Sequence, residues 1–170
     1  IQNYSGQFPI ENITLNRGES YTVAVKPNDA NGNRDGLIGA LVNADKNVVV
    51  NTGSANGSFG TGNARDYGID QIVGFSKVGN EYIFVRGNGG GDGSNITPND
   101  GDKWENIIII AHQDNTDVFV NDGTASEATL NAGEWVVIEG DGINNNGNGY
   151  NSNGNLYVQT SNPVFAYQGI

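Results

Sequence analysis

The chain contains no cysteine and no methionine in 170 residues, and a single histidine. The lack of cysteine excludes disulfides, thiolate metal sites and thiol nucleophiles together. In an exported module of this size it also favours a bacterial origin, because secreted eukaryotic modules often carry disulfides. The sequence starts at Ile1 rather than at methionine, so a segment cut from a longer or processed polypeptide is expected. Basic residues are scarce: 8 Lys and Arg against 19 Asp and Glu give a net charge of −11. Such a surface repels phosphate backbones and argues against nucleic acid as a partner. No apolar run approaches the roughly 20 residues needed to span a bilayer, so membrane insertion is not expected. Helical periodicity is missing as well.

Glycine and asparagine are abundant, with 26 Gly and 27 Asn. Both suit tight turns, where positive φ and local side-chain bonds to the backbone are needed. Between the turns lie short β-branched and aromatic runs. The pattern predicts strands over 20–26, 37–42, 47–52, 71–75, 82–86, 106–112, 117–121, 135–139, 156–159 and 164–168. The run NIIII, 106–110, is continuously apolar after its first residue and predicts a strand buried on both faces. Hairpin connections are expected at 114–116 and 161–163.

The chain also resembles itself. LNRGE at 15–19 returns as LNAGE at 130–134, and ADKNVVVNTG at 44–53 is matched by TSNPVFAYQG at 160–169. A weaker middle copy opens with GNEY at 79–82 and closes with QDNTDVFVNDG at 113–123. Three units result, at about 15–53, 78–123 and 130–169, within one module. The expected fold is an all-β, antiparallel β-sandwich of three related three-stranded units, with a propeller-like or barrel arrangement as the alternative. Each unit carries a long polar insertion, at 28–36, 87–102 and 140–155. Their shared place in the repeat predicts that they emerge on one edge, as a binding face or as tolerated insertions.

Candidate chemistry lies in these insertions. Asp29, Asn31, Asn33 and Asp35, followed by Gly36, alternate oxygen side chains up to a glycine. A hard cation such as calcium takes that arrangement, and so does a turn that satisfies its own backbone. The twelfth position is Ala40, which excludes an EF-hand. Asp92, Asp100, Asp102 and Glu105 flank Trp104. Acids beside an aromatic ring suit sugar binding, and paired acids suit glycoside hydrolysis. Ligand-binding candidates are therefore Trp104, Asp100 and Asp102, with Tyr150 in the third insertion. His112 ends an apolar strand with no G-x-S-x-G elbow, Walker loop or Rossmann fingerprint in the chain, so a structural role is expected. Arg65 and Asp66 are expected to pin a loop by an ion pair.

The stretch ADKNVVV at 44–50 is followed by a glycine-rich loop and then RDYGIDQ at 65–71. With AHQDNTDVFVN at 111–121 and LNAGE at 130–134, it resembles the bacterial relatives of the IgGFc-binding protein N-terminal domain. The likeness covers about 15–169. One departure is Asn47 at a position that proline usually holds, whereas the third unit has Pro163. The resemblance implies a non-catalytic adhesion or interaction module at the cell surface. Such modules belong to large exported proteins, including those of gliding Bacteroidetes. Expected partners are a cell-surface glycan or protein and neighbouring modules of the same polypeptide. Calcium is the one expected cofactor. A structural spacer or filament subunit and a carbohydrate-active domain are the alternatives.

Overall fold

A computed structural model describes residues 12–25, 35–57, 66–87, 105–140 and 149–169. The described chain is all-β. β1 (Asn51–Gly57) and β2 (Asp66–Gln71) form an antiparallel pair. A 3-10 turn (Phe75–Lys77) leads into β3 (Gly79–Val85), β4 (Asn106–Ala111), β5 (Thr116–Val120), β6 (Ala128–Leu130), β7 (Trp135–Ile138) and β8 (Asn155–Gly169). These six strands make one antiparallel sheet, in the order β6-β5-β8-β4-β7 with β3 also on β8.

β4 shows how composition becomes structure. Its isoleucines alternate across the pleat, so Ile107 and Ile109 enter the core while Ile108 faces the other side. Ile108 is nonetheless only 4 % exposed. It is paired with Val137 on one side and Tyr167 on the other. The expectation of burial on both faces holds. Full burial of each such side chain contributes about 1.5–3 kcal/mol.

The register reveals a folded sheet. Val164 pairs with Gly79 and with Ala111, and Val158 pairs with Tyr82 and with Val120. β3 therefore holds one edge of β8, and β4 and β5 share the other as one interrupted line. Between Ala111 and Val118 this line advances seven residues, while β8 retreats only four, from Val164 to Thr160. The surplus at 112–115 bends the sheet, as bulges do. β6 and β7 form the next line and break at 131–134 beside it.

Side chains hold this crease. Asp117 N–H donates to Ser161 Oγ at 2.8 Å, and Asn162 Nδ2 to Thr116 Oγ1 at 3.2 Å. Ala132 N–H donates to Asp114 Oδ1 at 3.0 Å. The bend brings Ile107, Ile109, Val118, Val120, Ile138, Leu156, Val158 and Val164 into one core. The result agrees with the expected sandwich and with its barrel alternative.

Some expectations need correction. The expected hairpin at 161–163 is a bend inside the single long β8, because β4 takes over there from β5 as partner. The connection at 114–116 is real, with Asn115 at φ 55°. No strand forms over 20–25, and 37–42 is turns plus a single bridge at Leu41. The strand expected at 47–52 lies at Asn51–Gly57 instead. The one expected at 71–75 is displaced to Asp66–Gln71. Propensity does not make a strand without a partner ladder. β6, three residues long, gave no recognisable pattern.

The β1–β2 segment approaches the outer side of the sheet. Burial, then the carboxylate of Asp70 on β2, then Tyr82, hold the Tyr167 phenol above its ordinary value. Phe75 stacks on His112 at 4.5 Å and meets Phe165 edge-on at 5.5 Å. His112 thus packs as an aromatic. Its Nδ1 is buried without a hydrogen-bond partner among the described residues.

Candidate functional site

Opposite the crease, the far ends of the folded sheet meet. Gln168 and Asn155 are thirteen residues apart on β8, about 40 Å if the strand ran straight. Yet Gln168 Nε2 donates to the carbonyl of Val85, the β3 partner of Asn155, at 3.1 Å. The same nitrogen reaches Tyr150 Oη at 2.9 Å and Glu105 Oε2 at 3.1 Å. Glu105 Oε2 also accepts the Gly87 N–H at 2.6 Å. Glu105 is 2 % exposed.

This seam is where two of the polar insertions begin and end. Gly87 and Glu105 flank 88–104 of the second and are joined by the carboxylate just described. Gly140 and Gly149 bracket 141–148 in the third. Gly140 N–H donates to Asn106 Oδ1 at 2.9 Å, and Tyr150 N–H donates to the Gly140 carbonyl at 2.8 Å. Asn121 Nδ2 donates to the Gly149 carbonyl at 2.7 Å. Side-chain amides and one carboxylate thus tie the roots of both insertions into one network, where partly buried hydrogen bonds resist opening.

The first insertion behaves differently. Residues 35–39, its last two and the three after it, turn against the crease, where a Cβ on Gly39 would run into the Gly133 carbonyl. Gly133 N–H donates to the Ala111 carbonyl, at the end of β4 away from Glu105. The expectation that all three insertions share an edge is corrected at their described ends: those of the second and third meet at the seam, and the end of the first lies at the crease. The repeat aligns sequence positions, but the bend in the sheet separates them.

Of the candidate residues, Tyr150 is buried in the core cluster with its hydroxyl in the seam. Asp35 is exposed, and its carbonyl accepts the Ile38 N–H at 3.0 Å. Trp104, Asp100, Asp102, Asp29, Asn31 and Asn33 lie outside the described residues, as does Arg65. Among the described residues no three His, Cys, Asp or Glu side chains gather as a metal set. Sequence reasoning missed Gln168, Gly87 and Asn106. The available signal was a Glu-Asn pair directly preceding the four isoleucines of β4, which places polar atoms at the lip of the core.

The geometry is that of a packed β-scaffold presenting loops. The family model described as IgGFc binding protein matches residues 3–170. The chain belongs to the IgGFc-binding protein family. The match extends the likeness seen at 15–169 to nearly the whole chain. Neither a curated protein nor a solved structure matches it at a significant level. No helix among the described residues is long and apolar enough to cross a membrane.

Proposed function

We propose that this domain is an extracellular, non-catalytic interaction module that receives a protein ligand on its second and third insertions. The observation that carries this reading is the seam. Roots separated by tens of residues are joined through Glu105, Asn106, Tyr150 and Gln168, so both insertions leave one rigid base. Loops set on a rigid scaffold are the usual carriers of recognition. Membership of a family named for binding the Fc region of IgG supports a protein rather than a glycan as the ligand. The wider setting we propose is a large bacterial surface adhesin in which several modules act together, so that weak single contacts sum. Calcium on Asp29, Asn31, Asn33 and Asp35 belongs to the same proposal as a stiffening element.

The test replaces 88–104, 141–148 or both with short Gly-Ser linkers. Binding to immobilised Fc fragment is read first, then binding to a glycan array. Loss of at least tenfold affinity in each single replacement, about 1.4 kcal/mol, is the expected result. Unchanged Fc affinity in the double replacement would overturn the reading, and a signal confined to the glycan array would reassign the ligand.

A further inference from the structure

Units two and three are built on one another by exchange. The line β4–β5 of unit two runs antiparallel to β8 of unit three. Each line also takes the leading strand of the other unit, β7 on β4 and β3 on the first half of β8. The registers match. Ala111 pairs with Val164 as Thr160 pairs with Val118, and Ile109 pairs with Ala166 as Val158 pairs with Val120. Two copies of one unit thus make a core in the self-complementary way of a symmetric dimer.

Unit one, 15–53, has the residues for this exchange but no counterpart. At the offsets of the repeat, Val48 corresponds to Val164, Val42 to Val158 and Val23 to Ile138. Val164, Val158 and Ile138 are fully buried, whereas Val48, Val42 and Val23 are 53 %, 39 % and 37 % exposed. Apart from a single bridge at Leu41, no strand ladder forms over 40–50 among the described residues. β2 pairs with β1 and leads into the turn before β3, as β6 pairs with β5 and leads into the turn before β7. It takes the outer edge, so the edge on which β5 meets β8 has no strand partner in unit one among the described residues. Charge points to the occupant. Residues 15–53 hold 4 of the 8 basic and 4 of the 19 acidic residues, so unit one is neutral and the rest of the chain carries the whole −11. Two such units meet without repulsion, whereas contact through the remainder brings like charges together.

We propose that unit one pairs with unit one of a second copy of this chain, by the exchange that joins units two and three. Carried over position by position, the registers set Val48 opposite Ala44 of the second copy and Val50 opposite its Val42. Tyr21 meets the other side of that Val42, and Val23 meets Ala40. The exposed valines then share one core. The contact uses neither the seam nor its insertions, so it stands whether or not they receive a protein.

Sedimentation equilibrium of the intact module tests it from about 1 to about 100 µM, the range of weak association. The mass should rise from 17.9 kDa towards twice that value, and dilution should restore single copies. Val48→Asp should weaken association at least about tenfold. Ile83→Asp, at an exposed position of β3 outside unit one, should change it less than about twofold. Cross-linking decides independently of how Val48→Asp folds. The native chain has no cysteine, and directly opposed strand residues have Cβ atoms about 5 Å apart. A mixture of Val48→Cys and Ala44→Cys chains should therefore form disulfide dimers under mild oxidation well in excess of either chain alone. A chain that stays monomeric at about 100 µM overturns the proposal and leaves unit one to a neighbouring module. So does a dimer indifferent to Val48→Asp, or a mixture with no excess of cross-links.

Discussion

In the turn at 16–19 the Glu19 N–H donates to the Asn16 carbonyl at 3.1 Å; in the turn at 131–134 the Glu134 N–H donates to Asn131 at 2.9 Å. In each, the Glu carboxylate accepts the Asn N–H at 2.7 Å. Gly18 and Gly133 both sit at φ 84°. Two regions 115 residues apart thus build the same turn. Their continuations differ completely. Val136 and Ile138 leave the second turn into β7, pair with β4 and face the core. Their counterparts Tyr21 and Val23 leave the first turn with no strand partner among the described residues, and Tyr21 is 53 % exposed. The turn is a local object, set by a glycine and a glutamate three residues from an asparagine. The strand is not, since it exists only where another strand meets it.

The comparison can be broken most forcefully at the apolar positions. Ile138→Ala should cost about 2–5 kcal/mol, because Ile138 is fully buried among well-packed neighbours. Val23→Ala should stay within about 0.5 kcal/mol, as exposed substitutions do. Urea unfolding of both decides it: equal losses would mean that 20–25 has a partner after all.

Glycine substitutions give the next largest contrast. Gly18 and Gly39 both have positive φ, but a Cβ on Gly18 meets nothing within 4 Å. Gly18→Ala should therefore show only the backbone penalty, about 1 kcal/mol. Gly39→Ala adds a collision with the Gly133 carbonyl and should lose at least about 2 kcal/mol. Similar midpoints in denaturant would show that 35–39 does not rest on the crease.

The smallest effect sharpens the likeness of the two turns. The Glu19 carboxyl is held below the ordinary glutamate range, first by the Asn16 backbone N–H and then by the Asn16 side chain. A lowered folded value means that the carboxylate supports the turn fully above the unfolded pKa. That support is lost as pH falls through the folded one. Carbon NMR titration should place the Glu19 midpoint below that of a free glutamate. Asn16→Ala should recover only the lesser, side-chain part of the shift, and full recovery would make the backbone contact unimportant.

Much of the fold was legible along the chain. Ile107 to Ile110 announced a doubly buried strand by composition alone. Asn115 announced a reversal, because the backbone it needs there suits Asn. The Ser161-Asn162-Pro163 stretch misled, because a Pro-containing polar run reads as a hairpin although here it only marks the crease. Glu105 was visible as one more acid beside Trp104. Nothing nearby in the chain showed that Gln168 would reach it, since the two are 63 residues apart.

What the sequence alone determined is therefore what neighbouring residues settle among themselves: the β class, the turns, the twin Asn-x-Gly-Glu reversals and the alternation of each strand. Only the tertiary structure decided which alternating runs found partners, that the sheet folds at 112–115, and that its ends close through Gln168. The physical reason is range. A turn is satisfied within four residues, whereas a ladder, a buried carboxylate and the bond from Gln168 to Val85 join groups up to 83 residues apart, whose meeting depends on the packing of the whole core.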